Sequence, residues 1–124
     1  MRYISTNKAP QAIGPYSQAI GFENLIFTSG SIALRADGSL NDGDVQTQAT
    51  QVLTNLNEVL VAAGSSLQQV LKTTIFLADM DDFKSVNEVY ASFFGSHKPA
   101  RSTVAVKSLP MGVKLEIEAI AYKG

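Results

Sequence analysis

The fold turns on the segment Pro99–Lys123, PARSTVAVKSLPMGVKLEIEAIAYK. It reads as two β-strands around a Pro-Met-Gly turn, because apolar and polar residues alternate with the period of two that a pleated strand imposes. On the first strand Ser102, Val104 and Val106 share one face, and Arg101, Thr103 and Ala105 share the other. On the second, Val113, Leu115, Ile117 and Ala119 oppose Lys114, Glu116 and Glu118. A hairpin closed by LPMG (Leu109–Gly112) would join the two apolar faces and set Arg101 and Thr103 beside Glu116 and Glu118. That side of the sheet would face away from any helices. A plainer reading is a solvated sheet face laced by cross-strand ion pairs, each contributing about 0.2–1 kcal/mol.

Working outward, two stretches carry helical periodicity. From Val45 the apolar positions Ala49, Val52, Leu53, Leu56, Val59, Leu60 and Ala63 recur at gaps of three and four. Asp44 is placed to cap this helix and Gly64 to end it. A second helix begins near Asp79–Asp81, presents Phe83, Val86, Tyr90 and Phe93 or Phe94, and stops at Gly95. Lys72–Ala78 reads as a buried strand, and Gln18–Ile20 and Leu25–Thr28 as a pair joined through GFEN. A further edge strand is expected near Arg2–Ser5. The order predicts one α+β domain over residues 1–124, a single mixed sheet with two long helices on one face. The strand–helix–strand step through Phe83–Phe94 should be a right-handed parallel crossover.

Composition narrows the chemistry. The 124 residues contain no cysteine and one histidine, which removes thiolate catalysis, disulfides and any Cys- or His-cluster metal site. Net charge is −1, and no basic run offers a track for phosphates, which argues against nucleic acid as partner. No apolar run approaches the ~20 residues of a bilayer span. The opening MRYISTNKAP lacks a signal-peptide apolar core, so the expected location is the cytoplasm. With 45 % hydrophobic and only 17 % charged residues, some apolar surface should be left for a second copy of the chain.

Six ordered segments, AIGPYSQAI (Ala12–Ile20), SGSI (Ser29–Ile32), KTTIFLADMDDF (Lys72–Phe83), VNEVYASFF (Val86–Phe94), PARSTV (Pro99–Val104) and EIEAIA (Glu116–Ala121), resemble the Rid family of reactive intermediate deaminases, also called YjgF-like proteins, and most of all its RidA subgroup. The resemblance runs the whole length. It implies a chorismate-mutase-like homotrimer, with active sites in clefts between subunits. The implied reaction hydrolyses 2-imino acids, derived from enamines such as 2-aminoacrylate, to 2-keto acids and ammonia without metal or organic cofactor. Pyridoxal-phosphate-dependent dehydratases acting on serine and threonine would release those enamines. The family's carboxylate-binding arginine falls on Arg101 and its water-activating glutamate on Glu116. Tyr16, Gly30, Asn87 and Thr103 match substrate-contact positions. The chain departs from the common pattern at Ser31 and at Lys98. The alternative function is a non-catalytic module that binds 2-keto acids and alters contacts with a partner protein. His97 reads as a surface histidine, and Asn87 as either a loop cap or a site residue.

Overall fold

The computed structural model describes all residues 1–124 as eight principal elements. They are β1 (Arg2–Ile4), β2 (Ala19–Phe22), β3 (Leu25–Thr28), α1 (Val45–Ala62), β4 (Val70–Leu77), α2 (Phe83–Phe94), β5 (Ala100–Ala105) and β6 (Leu115–Tyr122). The strands form one sheet in the order β1-β2-β3-β6-β4-β5. Only β4 and β5 run parallel, so the sheet is mixed, and the crossover through α2 is the parallel step expected from the sequence.

The helices form where their periodicity puts them. Every residue expected on the apolar face of α1, from Ala49 to Ala63, is buried. Asp44 accepts the Thr47 amide at 2.8 Å, and Gly64 takes the positive φ of 82° that ends the helix without Cβ strain. Val86, Tyr90 and Phe94 of α2 are buried beside them, and Gly95 (φ 63°) closes that helix. Both helices cover the sheet face formed by Ile26, Thr73, Ile75, Leu77, Leu115, Ile117, Ala119 and Ala121. The apolar members of that set join the helices in one continuous core.

One expectation fails. β5 and β6 do not form a hairpin, because β4 lies between them, antiparallel to β6 and parallel to β5. The link from Val106 to Lys114 is long enough to carry the chain past the end of β4 to its other flank, and the LPMG turn lies within it. β6, apolar at every second position and rich in β-branched and small residues, then takes an interior place between β3 and β4. The pairing also reverses the facing of β5. Thr73 registers with Arg101, and Ile75 with Thr103, so Arg101 and Thr103 lie on the helix side. Phe76 registers with Glu116, and Thr74 with Glu118, so the glutamates lie on the open side. Val104 was expected inside and is exposed on the open side instead.

That open side is apolar in character. Tyr3, Phe22, Phe27, Val104 and Tyr122 all project from it with substantial exposure. A monomeric protein rarely leaves so many large apolar side chains on one face.

Polar groups inside the helix layer have structural tasks. Asn55, buried on the apolar face of α1, donates to the carbonyls of Leu34 (2.7 Å) and Ile32 (3.3 Å) and accepts from Gln51 (2.9 Å). It thereby ties the segment after β3 to the helix. Asn55→Ala should orphan these carbonyls and lower stability by about 1–3 kcal/mol, read from urea denaturation midpoints.

Candidate active site

The six residues singled out by the sequence divide into two separate groups, one around Glu116 and one around Arg101, whose strand positions lie on opposite faces of the sheet. Tyr16, Gly30 and Glu116 form one. Arg101, Asn87 and Thr103 form the other. Within one chain Arg101 and Glu116 do not meet, contrary to the hairpin reading, because the parallel register of β4 and β5 puts the arginine on the helix side.

The first group surrounds a cavity of about 400 Å³. Its location follows from an irregularity where β3 leaves β6. Phe27 still pairs with Ile120, but the next bridge joins Ser31 to Ile117, so one strand spends four steps where the other spends three. Such a bulge opens the ladder. Thr28 Oγ1 compensates by accepting the Ala119 amide at 2.9 Å, and the Ser31 and Ile117 amides exchange bonds at 2.8 and 3.1 Å. Between these points Gly30 lies against the Glu116 carboxylate. A Cβ on residue 30 would fall well inside van der Waals contact with Glu116 Oε2, so only glycine leaves the carboxylate room. The Gly30 amide makes no hydrogen bond within the chain.

The cavity wall opposite is the loop that carries Tyr16. Buried Gln18 holds this loop down. Its Oε1 accepts the Thr6 amide (2.7 Å), and its Nε2 donates to the carbonyls of Pro10 (2.7 Å) and Thr6 (3.1 Å). Ser29 Oγ donates to the Ser17 carbonyl at 2.6 Å. Tyr16 lines the opening, half exposed, its hydroxyl accepting weakly from the Ile13 amide at 3.4 Å. Ser31 Oγ donates to the Val52 carbonyl of α1, so its hydroxyl serves the wall. Leu56 and Val59 of α1 complete an apolar floor. In this setting burial pushes the Glu116 carboxyl above its ordinary range, and the negative charge of Glu118 pushes it further the same way.

Arg101 and Asn87 of the second group line a groove of about 470 Å³ between α2 and the start of β5. Arg101 Nη1 donates to Asn87 Oδ1 at 2.7 Å, and the guanidinium stands 4.9 Å from the Tyr90 ring centre and 5.5 Å from that of Phe83. Two aromatic rings and one amide therefore fix the fork in direction, while Arg101 itself remains exposed to a ligand. Tyr90 is anchored beneath by a 2.7 Å bond between its hydroxyl and that of buried Thr73, and burial raises its phenol pKa. Asn87 thus serves the arginine directly and caps no loop. Thr103 Oγ1 is buried without a hydrogen-bond partner, on the same sheet face as Arg101. His97 is no free surface side chain either. Its Nε2 lies 2.7 Å from the Val70 carbonyl, which requires the proton on that nitrogen, and its ring packs against Phe94.

Sequence reasoning missed Gln18, Asn55 and Tyr90 as parts of these walls. Asn55 was detectable, since a polar residue in line with Val52 and Val59 on an apolar helix face needs a buried partner. Tyr90 was read only as part of the presented face of the second helix, and the structure sets the face of that ring beneath the guanidinium.

This fold, a mixed six-stranded sheet with two helices on one face, recurs in known proteins. The family described as endoribonuclease L-PSP matches residues 6–123, and the chain belongs to that family, the YjgF/Rid family. The mouse protein named 2-iminobutanoate/2-iminopropanoate deaminase is 49 % identical over 124 residues, covering 99 % of this chain and 92 % of the mouse protein. A RutC family protein of Pyrococcus horikoshii is 51 % identical over 121 residues, covering 97 % and 96 %. The crystal structure of Escherichia coli TdcF with bound serine superposes with a TM-score of 0.95 at 44 % identity, covering all of both chains.

The raised Glu116 pKa has a consequence for stability. Its folded value lies above its unfolded one, so this carboxyl favours the fold fully below the unfolded pKa, and that contribution is lost as pH rises through the folded pKa. Glu116→Gln, which stays neutral, should match the wild type at about pH 4 and become relatively more stable at about pH 7, as read from denaturant midpoints.

Proposed function

We propose that this protein hydrolyses 2-imino acids, the tautomers of enamines such as 2-aminoacrylate, to 2-keto acids and ammonia. The site is assembled from two copies of the chain. One copy supplies Arg101, Asn87 and Thr103, and its neighbour supplies Glu116, Gly30 and Tyr16. The observation that carries this reading is the pair of incomplete halves. The Glu116 cavity has a base and a free amide but no cation to hold a carboxylate, while the groove has a fixed guanidinium and no base. β5 is an edge strand and Arg101 lies exposed at its beginning, where a neighbouring chain can reach it. The apolar open face of the sheet supplies a surface for that neighbour, and a closed trimer would repeat the site at each interface. The name of the mouse relative and the serine bound to Escherichia coli TdcF support a small α-carboxylate substrate.

The chemistry follows from the groups. Arg101 grips the α-carboxylate through two parallel charge-assisted hydrogen bonds, and Asn87 with the two rings keeps the fork aligned. Thr103 Oγ1, otherwise unpartnered, can donate to the same end. The protonated imine is already an electrophile, so the remaining tasks are to orient a water and accept its proton. Glu116 takes that proton as the water oxygen bonds to the imine carbon, and the product is a carbinolamine. Glu116 then returns that proton to the nitrogen, takes the hydroxyl proton as the C–N bond breaks and the C=O bond forms, and ammonia leaves a keto acid. The Gly30 amide can hold the developing carbonyl oxygen, and Tyr16 covers the opening. A carboxyl with a raised pKa is better matched to both receiving and returning a proton near neutrality than an ordinary one. No helix of the chain is long and apolar enough to cross a membrane.

The family description names a ribonuclease, but a net charge of −1 without a basic run suits a small anion better than an RNA backbone.

Complementation tests the shared site. Arg101→Ala and Glu116→Gln should each be inactive in a coupled threonine dehydratase assay of keto-acid release. Unfolded and refolded together in equal amounts, they should regain roughly a quarter of the wild-type rate, the fraction of interfaces at which random mixing joins two intact halves. No recovery would refute a site shared between chains. A Glu116→Gln variant that still binds keto acids while the wild type shows no turnover would instead identify a binding module. The rate should also fall as pH drops through a value above the ordinary carboxylate range. Glu118→Gln, by removing the neighbouring charge, should move that limb to lower pH in a pH–rate profile.

A further inference from the structure

The groove that holds Arg101 extends beyond what a single carboxylate needs. It is bordered by Asn87, Tyr90, Phe94, His97, Lys98 and Arg101, and no carboxylate lines it. Its charged groups are two cations, Arg101 and Lys98. They lie three residues apart, so their backbones are at most about 10 Å from each other.

Lys98 is held from both sides. Before it, the His97 amide donates to the Phe94 carbonyl at 3.2 Å, and the His97 ring is fixed by the Val70 carbonyl. After it, Pro99 biases Lys98 toward extended backbone, and Ala100 enters the sheet opposite Lys72. The backbone therefore presents Lys98 at a set point on the rim while its side chain is exposed. His97 Nε2 is engaged with the Val70 carbonyl and Asn87 Oδ1 with Arg101. Lys98 is the groove's second cation, and so its second point of attraction for an anion.

We propose that Lys98 determines specificity, giving the reaction a preference for 2-imino acids whose side chain ends in a carboxylate, the imines of acidic amino acids. Arg101 holds the α-carboxylate and Lys98 meets the distal one. This rests on the deaminase reading above, yet it makes a separate claim about which substrate fits.

The test generates imines in situ by oxidation of a neutral and of an acidic amino acid, and measures kcat/KM for wild type, Lys98→Gln and Lys98→Arg. A parallel calorimetric titration measures binding of 2-oxobutanoate and 2-oxoglutarate. Lys98→Gln should reduce kcat/KM for the dicarboxylic imine about tenfold, mainly through KM, and leave the neutral imine unchanged. Lys98→Arg should retain the preference. Equal treatment of both imines by the wild type, or an equal effect of Lys98→Gln on both, would overturn the inference while leaving the deaminase reading intact. If neither imine is hydrolysed, the deaminase reading fails and the titrations decide this one. Tighter binding of 2-oxoglutarate that Lys98→Gln weakens about tenfold upholds it, and equal binding of the two keto acids overturns it.

Discussion

The parallel pairing of β4 with β5 is the constraint on which the rest of the molecule depends. It places Arg101 opposite Thr73, on the side covered by α2, where Asn87 and the rings of Tyr90 and Phe83 can brace the guanidinium. It also leaves the other flank of β4 to β6, which carries Glu116 to the open side of the sheet. A slip of one residue in that register would turn Arg101 outward and strip it of every partner it has. The separation of arginine from glutamate is therefore built into the sheet order.

Much of this architecture is legible in the sequence, for a local reason. The apolar stripes of α1 and α2 repeat over several turns, and the caps at Asp44, Gly64 and Gly95 act within a few residues of themselves. The tight β2–β3 turn at Glu23–Asn24 is equally local. Strand partnership is different in kind. Nothing in the alternation of β5 says whether β4 or β6 lies beside it, and its two faces carry similar mixtures of polar and small apolar residues. The valines pointed the wrong way because an exposed Val104 is tolerable on a face that still has apolar area uncovered.

Of the candidate site, the sequence conveyed residues that border concavities more than it conveyed their geometry. All six residues singled out border one of the two concavities or brace a residue that does, except Thr103, whose contribution is a hydroxyl left without a partner. What the sequence could not convey is the bulge at Gly30, which depends on how far β3 follows β6 before diverging. Nor could it convey Gln18, whose three hydrogen bonds reach back to residues in an irregular loop with no periodicity to read.

That glutamine has one more implication. The loop closing the Glu116 cavity is stapled by a few side-chain hydrogen bonds, chiefly those of Gln18 at the margin of the core, whereas the helices and central strands are interlocked throughout. Loosening such a staple costs far less than unmaking the fold, since net hydrogen bonds contribute about 0.5–1.5 kcal/mol each. Entry and exit of small molecules can thus be governed by a sub-global opening to which melting temperature is blind, and which amide hydrogen exchange at Thr6 would register.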